Sequence, residues 1–153
     1  MKTKEIMVQP VVTVNEDTTV EDIAKIMLDR RIGSVVVVDE QGKACGIVTE
    51  SDFAAKERAF PFSRYWAPQI FGMWMPKDKI EEIYKIARTM TAKEIMSSPV
   101  ITLTEEDTVE EVVRKMLHYD INRIPIVNKE RRPVGIVARY DLLRLISPVN
   151  KTR

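Results

Sequence analysis

The sequence predicts a mixed α/β (α+β) fold made of two copies of one β-α-β-β-α unit, packed sheet to sheet with pseudo-twofold symmetry. Displacing the chain by 89 residues lays 4–53 over 93–142 without a gap, with 19 identities in those 50 positions. Self-similarity at a fixed period marks a repeated structural unit. Runs of β-branched residues such as Val35–Val38 lack the alternation of a half-buried strand, so they read as strands covered on both faces. One copy of about fifty residues is too small to cover both faces alone, hence the expected pairing of the two copies.

Each copy repeats the same elements in order. A short β-rich run (Val11 to Val14; Val100 to Leu103) leads into a helix whose apolar positions Val20, Ile23, Met27 and Val109, Val112, Met116 recur at helical spacing. Thr18 with Glu21, and Asp107 with Glu110, supply the start signals of those helices. A β-branched strand follows (Ser34 to Val38; Arg123 to Val127), then a turn containing "DEQGK" or "NKERR", a "GIV" strand, and a final helix beginning near Ser51 or Tyr140. The expected domains are 3–57 and 92–146, joined by a connecting segment over 58–91. That connector packs Phe60, Phe62, Tyr65, Trp66, Phe71 and Trp74 among prolines before "IEEIYKIART", which reads as a short amphipathic helix. Its aromatic residues suit a satellite core, a dimer interface or a lid.

Composition narrows the function classes. The chain has 153 residues, 24 basic against 23 acidic, and no basic block, so nucleic acid is not an expected partner. Cys45 is the single cysteine, which excludes an internal disulfide and a thiolate zinc site and makes a reducing cytoplasm the expected compartment. The longest apolar runs are too short to span a bilayer, and no membrane role is expected. His118 is the sole histidine and reads as solvated, and the methionines Met7, Met27, Met96 and Met116 read as packing residues. The acidic runs "NEDTTVED" and "TEEDTVEE" lack the spacing of a calcium loop and read as solvated helix starts. No P-loop, metal cluster or activated nucleophile is visible, so an enzyme is not expected.

The stretch "GIVTESD" ends the first copy. Thr49 and Asp52 fit a capping box, in which a hydroxyl and a carboxylate satisfy the open N–H groups of a helix start. Ser51 goes beyond what a cap needs. If capping were the whole role of Asp52, the second copy, "GIVARYD", should have little use for Asp141 once Ala138 replaces the hydroxyl.

The element order, "P-V-x-T" before a "TVE" helix, and the ending "GIVTESD" together resemble the cystathionine-β-synthase (CBS) domain, with the tandem resembling a CBS pair, or Bateman module. The resemblance implies a regulatory module, without a catalytic domain of its own, that binds adenosine-containing ligands such as AMP, ADP, ATP or S-adenosylmethionine in clefts between the copies. It implies that Asp52 takes ribose hydroxyls, that Thr49 and Ser51 contact ribose or phosphate, and that Arg123, opening the middle strand of the other copy, meets the phosphate. Thr13 and Ile124, with Val11 and Val12, are expected near the adenine. A second cleft would use Asp141, Tyr140 and Ser34, but Ala138 and Tyr140 replace two hydroxyls and Ser34 supplies no cation. The expected assembly is a homodimer that regulates a separate protein and requires no cofactor besides its regulatory nucleotide. A CBS scaffold without ligand, and a small nucleotide-processing enzyme, are the alternatives.

Overall fold

The computed structural model describes residues 1–53 and 77–147, which fall into two compact units. Helix α1 (Thr3–Ile6) is followed by β1 (Thr13–Asn15), α2 (Val20–Arg30), β2 (Ser34–Val38), β3 (Ala44–Thr49) and one 3-10 turn, Glu50–Phe53. Then come α3 (Lys77–Ala87), α4 (Ala92–Ile95), β4 (Leu103–Thr104), α5 (Val109–Tyr119), β5 (Arg123–Val127), β6 (Pro133–Ala138) and a 3-10 stretch, Arg139–Leu145. Among the described residues no helix is long and apolar enough to cross a membrane.

One unit carries the sheet ordered β1-β2-β3. β1 runs parallel to β2, with Thr13 opposite Val36 and Asn15 opposite Val38, and α2 provides the crossover that parallel neighbours need. The turn 39–43 is too short for a crossover, so β3 returns antiparallel to β2. Thr13, Ser34 and Thr49 therefore share one end of this sheet. Val35, Val36 and Val37 are all buried, as their unbroken run requires. Cys45 is half-buried, its thiol donates to the Val37 carbonyl at 3.4 Å, and burial pushes that thiol up from its ordinary value.

The other unit repeats the plan with β4-β5-β6. Leu103 lies opposite Ile126 in parallel register, and Arg123 opposite Ala138 in antiparallel register. Its core gathers Val109, Val112 and Met116 from α5 with Ile124, Ile126 and Val137 from the sheet.

Each unit also takes in the segment that precedes the other copy in sequence. Residues 1–12 belong with β4-β5-β6: the Thr3 N–H donates to the Asp107 carbonyl at 2.9 Å, Val8 and Ile136 exchange backbone bonds of 2.8 and 3.2 Å, and Ile6 enters the core. The segment before the second copy does the same on β1-β2-β3. There the Ala92 N–H donates to the Thr18 carbonyl at 2.8 Å, and Ile47 and Ser97 exchange bonds of 3.3 and 3.0 Å. Glycine is required under both segments. A Cβ on Gly46 would stand 2.3 Å from Met96 Sδ, and one on Gly135 would stand 2.6 Å from Met7 Sδ and 3.2 Å from the Val8 carbonyl oxygen.

Several local expectations are corrected. The first strands start later than Val11 and Val100, because the residues before them belong to the exchanged segments, and the short helices α1 and α4 within those segments were not expected. The helix caps are Thr19 and Thr108, whose hydroxyls accept from the Asp22 and Glu111 N–H groups at 3.2 Å in both copies. Thr18 and Asp107 close the preceding turns instead, accepting from the Asn15 N–H at 3.0 Å and the Thr104 N–H at 2.6 Å. The elements at Ser51 and Tyr140 are 3-10 rather than α among the described residues. The amphipathic helix of the connector is present as α3, whereas Phe60, Phe62, Tyr65, Trp66, Phe71 and Trp74 lie outside the described residues.

Candidate functional site

Where β3 ends, the backbone turns sharply enough for the Thr49 N–H to donate to Asp52 Oδ2 at 2.8 Å, and the Glu50 N–H donates to the Gly33 carbonyl at 3.1 Å. These bonds fold the turn over the end of the sheet and hold the carboxylate inward, where Asp52 is only 9% exposed. The hydroxyls of Thr49 and Ser51 bond to each other at 2.7 Å on the open side. Among the described residues Asp52 Oδ1 has no hydrogen-bond partner and no cation lies against the carboxylate. Burial accordingly pushes the Asp52 carboxyl above its ordinary value, opposed by the backbone bond from Thr49. A half-satisfied buried carboxylate beside a surface hydroxyl pair can accept hydrogen bonds from a neutral diol and exchange further ones with its neighbours. Tyr84 of α3, not anticipated from the sequence, buttresses the turn by donating from its hydroxyl to the Phe53 carbonyl at 3.3 Å.

At the end of β6 the same backbone recurs. The Ala138 N–H donates to Asp141 Oδ2 at 2.8 Å, and the Arg139 N–H donates to the Asn122 carbonyl at 2.8 Å. Asp141 thus has a capping use without a hydroxyl at 138, so its presence in the second copy does not by itself argue against a capping role for Asp52. The bond runs from a backbone N–H that alanine supplies as well as threonine, so capping explains one oxygen of each aspartate and neither explains nor needs Thr49 and Ser51. Arg144, also unanticipated, brings Nη2 to 3.7 Å from Asp141 Oδ1. Its place three residues on, one turn away, was the signal that could have revealed it.

The remaining predicted residues divide between the units. Thr13 is exposed and Ser34 half-buried, both at the sheet end that carries Asp52. Arg123 is half-buried and Tyr140 is 79% exposed, both at the sheet end that carries Asp141. Ile124 is corrected: its side chain is fully buried in the core with Val112 and Met116, which leaves no surface for an adenine. A depression of about 970 Å³ lies at the opposite end of the first sheet, lined by Glu16, Asp17, Asp39, Glu40 and Lys93 among others. Four carboxylates against one lysine suit no phosphate, and the residues with ligand chemistry are elsewhere. The described residues contain no cluster of histidine, cysteine and carboxylates able to hold a metal ion.

Comparison with known proteins decides the family. The CBS domain model matches residues 4–58 and again 92–148. The chain belongs to the CBS domain family. The two CBS matches follow the contiguous copies, while packing exchanges the leading residues of each, so the family bounds and the compact units differ. A CBS domain from a CBS domain-containing membrane protein of Sphaerobacter thermophilus is 41% identical, with a TM-score of 0.72 over 95% of this chain and 87% of that one. A CBS domain pair solved in complex with 5′-methylthioadenosine and S-adenosyl-L-methionine is 29% identical, with a TM-score of 0.70 over 97% of both chains. An uncharacterized protein of Methanocaldococcus jannaschii is 31% identical over 98% of this chain, which spans 33% of that relative's length. Relatives that carry enzyme names are matched over only 22–23% of their own lengths.

Proposed function

We propose that this CBS pair is a regulatory module, not itself a catalyst, which binds an adenosine-containing small molecule through the turn Thr49–Asp52. The observation that carries the proposal is the buried Asp52 carboxylate, with Oδ1 unpaired among the described residues, next to the bonded hydroxyls of Thr49 and Ser51. A ribose offers two neutral hydroxyl donors, which suit a carboxylate that burial has left short of partners. Thr49 and Ser51 then hydrogen-bond the sugar or its 5′ substituent, and the exposed Thr13 at the same sheet end lies toward the base. AMP, ADP and ATP also require a cation for the phosphate, and Arg123 is the residue that the family resemblance nominates for it. The 29% identical pair that carries 5′-methylthioadenosine and S-adenosyl-L-methionine supports adenosine as the shared part of the ligand, since both contain it.

A thermal-shift panel of adenosine, AMP, ADP, ATP, S-adenosylmethionine and NAD tests the proposal. A ligand at about a hundred times its Kd adds roughly 2.7 kcal/mol to the folded state, so at least one member should raise Tm clearly. If none does, the reading falls and a ligand-free scaffold replaces it. Arg123→Ala should reduce the shift given by AMP and leave that given by adenosine unchanged.

A further inference from the structure

The carboxylates that follow β3 and β6 are each held through one oxygen, by the same 2.8 Å bond from the backbone, yet among the described residues only Asp141 faces a cation. Arg144 Nη2 lies 3.7 Å from Asp141 Oδ1, and Arg144 Nη1 donates to the Ile6 carbonyl at 3.1 Å. The planar guanidinium is thereby held by one hydrogen bond to the exchanged N-terminal segment, with its charge set beside the carboxylate of the turn. The corresponding position in the first copy, 89 residues earlier, is Ala55, which carries no charge.

We infer that Arg144 is the selectivity residue that closes the second copy to nucleosides: it occupies the oxygen of Asp141 that a ribose would need, and so confines binding to Asp52. The inference rests on the proposed function of the Thr49–Asp52 turn. A ribose reaching Asp141 Oδ1 must move aside the guanidinium that stands 3.7 Å from it, break the Arg144 bond to the Ile6 carbonyl, and substitute neutral donors for a cation. It must also leave a carboxylate that is only 5% exposed without its counter-charge, and a buried charge short of partners is unfavourable. At the first copy neither cost arises from position 55. The Arg144 side chain itself is 46% exposed, so its replacement opens the oxygen without hollowing the core.

Calorimetric titration of adenosine into wild type, Arg144→Gln and Arg144→Lys tests this. Glutamine keeps an N–H donor for the Ile6 carbonyl and removes the charge, whereas lysine keeps the charge. Arg144→Gln should bind one adenosine more per chain than wild type, the gain should vanish in Arg144→Gln/Asp141→Asn, and Arg144→Lys should match wild type. An Arg144→Gln protein that binds no more adenosine than wild type overturns the inference, whether wild type binds one molecule or none. Failure of the underlying reading shows separately, as equal binding by wild type and Asp52→Asn. If circular dichroism shows Arg144→Gln unfolded, the carboxyl carbon resonances of the wild type decide: with saturating adenosine that of Asp52 should move and that of Asp141 should stay, and movement of the latter overturns the inference.

Discussion

At the end of β3 a buried carboxylate stands beside two hydroxyls, with no cation against it among the described residues. At the end of β6 a carboxylate held by the same bond stands beside an alanine, an exposed tyrosine and an arginine. The two turns need the same carboxylate to accept from a backbone N–H, so that feature recurs in both copies. The side chains around it have no part in closing the turn and are free to differ. An aspartate in this place is therefore a folding device first, and only where its second oxygen is left available can it serve a ligand as well.

The largest expected effect breaks the comparison directly. Asp52→Asn keeps an acceptor for the Thr49 N–H but loses charge-assisted bonds to a ribose, each worth about 1.5–3 kcal/mol, so adenosine affinity should fall on the order of 100-fold. Asp141→Asn should leave affinity unchanged in the same calorimetric titration. The reverse outcome would assign the site to the wrong copy. The same experiment has a pH arm. Because the folded Asp52 carboxyl is raised, its contribution to folding is fully present below its unfolded pKa and is lost as pH rises through the folded one. Binding runs the other way, since ribose donors need the ionised form: affinity should decline as pH is lowered, beginning above the ordinary range of an exposed aspartate, and Asp52→Asn should abolish that dependence.

Next in size is a test of the two exchanged segments. Gly46→Ala and Gly135→Ala each drive a methyl into a methionine thioether, and overpacking of this kind costs about 1–3 kcal/mol, read as a lower Tm. Met96→Ala should rescue Gly46→Ala only in part, because the Cβ at position 96, 3.1 Å away, remains in alanine. Met7→Ala should likewise rescue Gly135→Ala only in part, because the Val8 carbonyl oxygen at 3.2 Å is backbone and cannot swing aside. Full rescue of either would mean that the thioether alone sets the fit there.

The smallest effect concerns charges that tie the N-terminal segment down. Lys2 and Lys4 both hydrogen-bond Glu106, which holds that carboxyl at about 2 although it is fully exposed. A depressed carboxylate contributes stability above its unfolded value, lost as pH falls from 4.5 toward 2. Solvent screens such a pair, so Glu106→Gln should shift Tm only slightly at neutral pH, and the difference should disappear in high salt.

Much of this was legible in the sequence. The 89-residue repeat, the helical spacing of Val20, Ile23 and Met27, and the unbroken Val35–Val38 run each report a local period, and local periods follow from backbone geometry that sequence encodes directly. Thr49, Ser51 and Asp52 come together because they are neighbours in the chain on one tight turn. Ile124 was misplaced because an apolar strand covered on both faces does not say whether protein or ligand does the covering. The caps at Thr19 and Thr108 were set one residue early because two adjacent hydroxyl or carboxylate residues can each close a turn, and only the hydrogen bonds separate them.

What the tertiary structure alone decided is which copy each lead segment covers. "KEIM" stands before both copies, so no propensity distinguishes a segment that folds onto its own sheet from one that folds onto the other. The choice is carried by contacts such as Thr3 to Thr104 and Arg144 to Ile6, between residues 101 and 138 positions apart, which leave no periodic trace along the chain. The sequence by itself determined the two sheets, their helices and the aspartate turn at the end of each, because these rest on near-neighbour geometry. The arginine that faces one of those aspartates donates to a carbonyl 138 positions away, and only folding brings the two together.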